Sequence, residues 1–146
     1  QTTWLQDNQS RSSYGVIRGL HYQLAPFAQA KLVRVLSGCI LDVALDIRKG
    51  SPTFGQYFAI ELSETNNKQL LIPQGFAHGF SVLSEAATVL YKCDAPYNPE
   101  AERGILYNDQ ELKIDWKIPY SEATISAKDK VYPSFYHAEM NFVFPE

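Results

Sequence analysis

The sequence predicts an all-β fold, an antiparallel sandwich or small barrel, on three observations. Short runs of alternating apolar and polar residues recur between turn signals, none of them alternates with helical patterns, and proline, glycine, β-branched and aromatic residues are frequent. At 146 residues the chain can bury a full core as one domain, residues 1–146.

The clearest run is "KLVRVLSGCILDVALDI", two extended stretches broken at Ser37-Gly38, which reads as a hairpin turn. In its second half Cys39, Leu41, Val43, Leu45 and Ile47 share one face, and Asp42, Ala44 and Asp46 share the other. Period two with one wholly apolar face predicts a half-buried strand. "RKGSPTFG" carries turn residues, and "QYFAIEL" resumes extended structure with Phe58, Ile60 and Leu62 facing one way. "SETNNKQ" reads as a polar loop. "LLIP", "GFSVLS" and "ATVLYKCD" follow as short strands, and any helix is confined to a little near the C-terminus.

Charge excludes several functions. A formal charge of -3 leaves no basic footprint for nucleic acid and no polybasic membrane patch, and no apolar run approaches membrane-spanning length. Cys39 and Cys93 lack CxxC spacing and read as two reduced thiols, which places the chain in the cytoplasm. There is no signal peptide pattern, and the first residue is Gln1 rather than methionine.

The stretch "GVIRGLHYQ", residues 15–23, sets arginine, glycine and histidine inside a buried-looking strand. An ionisable side chain there is costly unless it is paired or used. Along an ideal strand Arg18 and His21 face opposite sides, because three is an odd step. If both serve one pocket, Gly19 must permit a bulge between them.

There are three histidines, His21, His78 and His137. His78 sits in "PQGFAHGF", whose P-x-G-x-x-H spacing resembles the second motif of the cupin superfamily. That resemblance implies a double-stranded β-helix, or jelly-roll, barrel. A metal-binding cupin also carries an H-x-H pair and a third ligand; the sequence has no H-x-H, so no metal site is expected. The remaining use of His21 is as a base, since imidazole is the side chain best matched to proton transfer near neutrality. Such a base needs an acid across the substrate and a cation where negative charge develops. Tyr91 in "VLYKC" is the candidate acid and Lys31 the candidate cation, against the plainer readings of an aromatic filler and a solvated strand end. Arg18 could equally be half of a structural ion pair, and His137 reads as structural or exposed.

In combination the segments "QDNQSRS", "GVIRGLHYQ", "AQAKLVRV", "LDVALDIRKGSPTFG", "LLIPQGFAHGFSVLSE", "LYKCDAPYNPEAERGI" and "SAKD" resemble, in order, those of the dTDP-4-dehydrorhamnose 3,5-epimerases. The resemblance runs from about Gln6 to Asp129. It implies that His21 removes the proton next to the C4 ketone, that Asp129 orients it, and that Tyr91 returns a proton from the opposite face. Lys31 and His78 would stabilise the enolate. Arg18, Glu102 and Lys128 would contact substrate, with Arg18 and Lys128 clamping the diphosphate. Gln6, Asp7 and Asn8 would contact the nucleotide, and Tyr97 would stack on the thymine. The implied reaction inverts C3 and C5 of dTDP-4-dehydro-6-deoxyglucose to give dTDP-4-dehydro-6-deoxy-L-mannose, with no nicotinamide, flavin or metal.

The implied assembly is a homodimer. The family's chains carry a segment before "QDN" with an F-x-D-x-R-G-like stretch that contacts substrate and joins the dimer, and the sequence starts after it. The C-terminal "VYPSFYHAEMNFVFPE" departs from the family's tail and reads as an aromatic cover for the barrel or an interface. Other functions consistent with the residues are a mono-epimerase or ketoisomerase in the same barrel, a metal-dependent cupin, and a non-catalytic sugar-nucleotide binder.

Overall fold

In the computed structural model, which describes residues 2–145, two sheets face each other across a common interior. β1 (Gln6–Ser13), β8 (Ala86–Cys93), β3 (Lys31–Ser37) and β6 (Gln69–Ile72) form one sheet in that order. The other runs β10 (Thr124–Ile125), β2 (Val16–Gln23), β7 (Phe76–Val82), β4 (Cys39–Asp46) and β5 (Tyr57–Ser63), with β9 (Glu102–Gly104) also on β2. The pairings between these strands are antiparallel except the short β10–β2 contact, and an isolated parallel bridge joins Lys49 to Val143. The expected jelly-roll arrangement is present, and helix is confined to three 3₁₀ turns after residue 119.

One expected turn is corrected. Ser37-Gly38 does not close a hairpin, because β3 pairs with β6 and β8 while β4 pairs with β5 and β7. The dipeptide carries the chain from one sheet to the other. Gly38 suits that corner: its φ is +79°, and a Cβ there would lie 2.1 Å from the Ala86 carbonyl oxygen.

The half-buried reading of β4 is corrected as well. From Ile40 to Asp46 every residue is buried. Leu41, Val43, Leu45 and Ile47 pack outward against Tyr107, Leu112, Trp116 and Phe135, which come from the chain after β9. Burying side chains of this kind stabilises the fold by roughly 1.5–3 kcal/mol each. Ile40 and Ala44 join the interior cluster with Val33, Val35, Leu62, Phe80, Val82 and Val89. The acidic face of β4 therefore turns into the barrel and the apolar face meets the C-terminal cover, the reverse of a solvent-facing polar side.

That cover is pinned at several points. Arg48 donates from Nε and Nη2 to the buried Asp46 carboxylate, and its guanidinium lies 4.6 Å from the Phe76 ring and 4.8 Å from the Phe144 ring. The Tyr22 hydroxyl donates to the Glu139 carbonyl at 2.6 Å. The aromatic tail thus covers the outer face of the larger sheet.

β2 breaks its alternation where the sequence reading requires it. Ile17, Leu20 and Tyr22 pack outward under the cover, while Arg18 and His21 both line the interior cavity. The β2–β7 register shifts between Arg18 and His21. Gly19 is the inserted residue, with φ +123°, and a Cβ there would fall 2.6 Å from Gly79 Cα and 2.8 Å from the His78 carbonyl oxygen.

Two outcomes are expected in denaturant titrations. Gly19→Ala should cost about 3 kcal/mol, because backbone atoms rather than a movable side chain occupy the space and φ is left-handed. For Asp46, burial pushes the carboxyl up, but hydrogen bonds from Arg48, Ser51 and Thr53 outweigh it and hold the group far below the usual carboxylate range. A depressed folded-state pKa gives stability that is complete above the unfolded value near ~4 and is lost as pH falls toward the folded value. Asp46→Asn should lower stability at neutral pH by about 2 kcal/mol and flatten the further loss below about pH 4.

Candidate active site

Alternation along the strands decides which side chains reach the cavity between the sheets. On β1, Gln6, Asn8 and Ser10 point inward and line it. Lys31 on β3, Tyr91 on β8 and His78 on β7 join them, with Arg18 and His21 from β2. His21 and Tyr91 come from different sheets, so they stand on facing walls.

His21 is held from behind. Asp129 lies in a 3₁₀ turn after β10 and is 3% exposed. Its Oδ1 is 2.7 Å from His21 Nε2, and its Oδ2 accepts the Gly19 backbone N–H at 3.0 Å. Burial raises the Asp129 carboxyl, but the hydrogen bonds from His21, Gly19 and Ser126 outweigh it and leave it below the usual carboxylate range. An ionised Asp129 can only accept, so His21 donates from Nε2 and keeps Nδ1 free to take a proton. Tyr132 meets the His21 ring edge-on, 5.7 Å between centroids, and packs over Gly104. The sequence reading missed this tyrosine because it belongs to the tail.

On the facing wall, burial pushes the Tyr91 phenol up, so it keeps its proton at neutral pH. Lys31 Nζ sits 5.6 Å from the centre of the Tyr91 ring, and burial pushes the Lys31 ammonium down. Lys31 lies partly buried at the cavity wall rather than at a solvated strand end. His78 pairs in register with His21 across β2 and β7, but its Nε2 is bonded to Asp42 Oδ1 at 2.6 Å. Each interior histidine thus has its own carboxylate.

The remaining expected residues divide. Gln6 Oε1 accepts the Tyr97 backbone N–H, Gln6 Nε2 donates to Asn8, and Asn8 contacts the Cys93 thiol. Tyr97 is half exposed at the rim, its hydroxyl donating to Glu102 at 2.7 Å. Lys128 Nζ donates to the same Glu102 oxygen at 2.6 Å. Burial raises Glu102, but Lys128 and Tyr97 outweigh it and hold it ionised below the usual range. Arg18 reaches across to Ser12 of the other sheet with Nε and Nη2.

Asp7 must be corrected. It sits on the outward face of β1, paired with Lys92 at 2.9 Å, because its neighbours Gln6 and Asn8 take the inward positions. Two further cavity residues, Gln23 and Gln29, carried no signal beyond their place in the quoted motifs. His137 is exposed and bonded to Ser134, as expected of it, and Cys39 and Cys93 are free thiols.

The assembled groups suit proton transfer beside a carbonyl: an oriented imidazole on one wall, and on the other a protonated phenol with a lysine beside it. The profile of a family described as dTDP-4-dehydrorhamnose 3,5-epimerase matches residues 1–137. A Pseudomonas aeruginosa dTDP-4-dehydrorhamnose 3,5-epimerase is 53% identical over 138 residues, 94% of this chain and 75% of the relative. Among solved structures, the Elizabethkingia anophelis enzyme of the same name superposes with a TM-score of 0.91 at 52% identity, covering 92% of this chain and 73% of that one. The Legionella pneumophila dTDP-6-deoxy-D-glucose-3,5-epimerase, in complex with dTDP-4-keto-L-rhamnose, superposes at 0.89 with 49% identity, covering 93% and 71%. The cavity chemistry and these likenesses agree, and the chain belongs to the dTDP-4-dehydrorhamnose 3,5-epimerase family.

Proposed function

We propose that this chain inverts C3 and C5 of dTDP-4-dehydro-6-deoxyglucose by two-sided proton transfer, with His21 as base and Tyr91 as acid. The observation that carries the reading is the placement of these two side chains on facing sheets of one cavity, with His21 anchored by Asp129. His21 Nδ1 takes the proton from the carbon next to the ketone. The electron pair moves to the C4 oxygen as an enolate, and the Lys31 ammonium offsets its charge. Collapse of the enolate takes a proton from the Tyr91 hydroxyl on the opposite face, which inverts the centre. Solvent then reprotonates Tyr91 and relieves His21, and the sequence repeats at the second carbon. A single base would return the proton to the face it left.

Substrate contacts follow from the rim. In this reading Gln6 and Asn8 meet the nucleotide and Tyr97 offers its half-exposed ring to the base, while Arg18, deeper in the cavity, supplies a cation for the diphosphate. Lys128 is engaged by Glu102, so it serves the diphosphate only while shared with that carboxylate. Asp7 has no place in this set. The proposal extends to a homodimer working in the cytoplasm. Among the described residues β1 pairs with β8 alone and stands beside exposed Leu5, which supports the first, and two free thiols suit a reducing compartment.

His21→Asn should lower turnover of dTDP-4-dehydro-6-deoxyglucose by roughly 10²–10⁴-fold with little change in KM. Lys31→Met should cost about 10²–10³-fold in kcat. Because burial holds Lys31 below the ordinary lysine value near ~10.4, the wild-type rate should fall on the alkaline side before that pH, and the limb should vanish in Lys31→Met. Unchanged rates in either variant would overturn the assignment.

A further inference from the structure

Asp42 lies on the interior face of β4 and is completely buried. Its Oδ1 is 2.6 Å from Nε2 of His78, itself only 6% exposed, and its Oδ2 has no hydrogen-bond partner. A sealed carboxylate with one oxygen unpaired is a costly way to fill space between Ile40, Ala44 and Phe80. An amide or apolar residue would fill it at lower cost. The charge is therefore spent on what it faces, and what it faces is the second imidazole of the cavity.

Among the described residues His78 Nδ1 has no hydrogen-bond partner and, unlike Asp42 Oδ2, is not sealed from the cavity that His78 lines. We infer that Asp42 is a positioning residue for the reaction: it fixes His78 with the proton on Nε2 and presents Nδ1 to the carbonyl oxygen of the substrate. When substrate binds, His78 takes a second proton from solvent at Nδ1 and donates it as a hydrogen bond to that oxygen, keeping it as the enolate forms and collapses. Asp42 is the counter-charge that makes the imidazolium tolerable in a buried site. The other charged or titratable groups facing this imidazole are Lys31 from β3, Tyr91 from β8, and His21 and Arg18 from β2. The cavity then contains two carboxylate-backed histidines of unlike duty, one a base through Asp129 and one an oxyanion donor through Asp42. This deepens the proposed reaction and rests on it.

The test joins a readout independent of turnover to one that depends on it. Imidazole ¹⁵N NMR of the unmodified protein, with His78 assigned by its loss in His78→Asn, should show Nε2 protonated. In Asp42→Asn the neutral ring should shift its proton to Nδ1, since the amide can donate to Nε2. Asp42→Asn should also lower kcat by roughly 10- to 100-fold with KM within about threefold, and this loss should disappear in a His78→Asn background. A neutral His78 protonated at Nδ1 and bare at Nε2 in the unmodified protein would overturn the inference whether or not the variant folds. So would an Asp42→Asn loss of the same size without His78, which would mark a packing role. If His21→Asn proved fully active while the NMR result held, the reaction assignment would fail and the Asp42–His78 pairing would stand.

Discussion

The Asp129 carboxylate ties three parts of the molecule together. One oxygen takes the Gly19 backbone N–H at the break in β2, and the other takes the His21 imidazole. It comes from a 3₁₀ turn in the chain after β10, so the outer cover and β2 share one anchor. Without the break, Arg18 and His21 could not both face the cavity. Without the cover, nothing would hold the break's amide or the ring's tautomer. The site is thus a property of how the C-terminal chain seats on the barrel, and the bulge is the place where the two meet.

The interior is unusually ionisable for a core. Asp42, His78, Lys31, His21 and Asp129 lie within or beside it, where an isolated charge would be expelled or neutralised. Pairing resolves most of this cost, since each histidine has a carboxylate and Glu102 has Lys128. Lys31 has no such direct partner in the hydrogen-bond pattern of the described residues, and burial lowers it accordingly. A group held in that condition is poised to gain from a negative charge arriving next to it. The apolar residues around the cavity sharpen this by keeping the local dielectric low.

Much of this was legible in the sequence, for identifiable reasons. Extended patterning located β2, β3, β4, β5, β6 and β8 and the second half of β7, but not the polar β1 or the short β9 and β10, and the odd step from Arg18 to His21 around a glycine located the bulge. The pattern on β4 was also visible, but not which face looked inward. An apolar face signals burial without saying against what, and here the C-terminal segment, irregular and without strand periodicity, supplied the second layer. Asp42 was hidden by that ambiguity. Ser37-Gly38 misled because a glycine turn between strands serves a hairpin or a change of sheet equally well. Asp7 was carried along by its neighbours in a motif, and only the strand β1 and its place at the cavity show that it faces away from Gln6 and Asn8. Tyr132 had no local signal, since only the folded tail brings it to His21.

The central claim is that protons leave and return on opposite walls, and Tyr91→Phe tests it most directly. In this variant His21 can still remove and return a proton on its own face, but the phenolic donor is gone. Proton NMR of dTDP-4-dehydro-6-deoxyglucose in deuterium oxide should show deuterium entering beside the ketone while the inverted product falls by roughly 10²-fold or more. Inversion at the wild-type rate in Tyr91→Phe would contradict the two-wall account and require the acid to be sought elsewhere in the cavity.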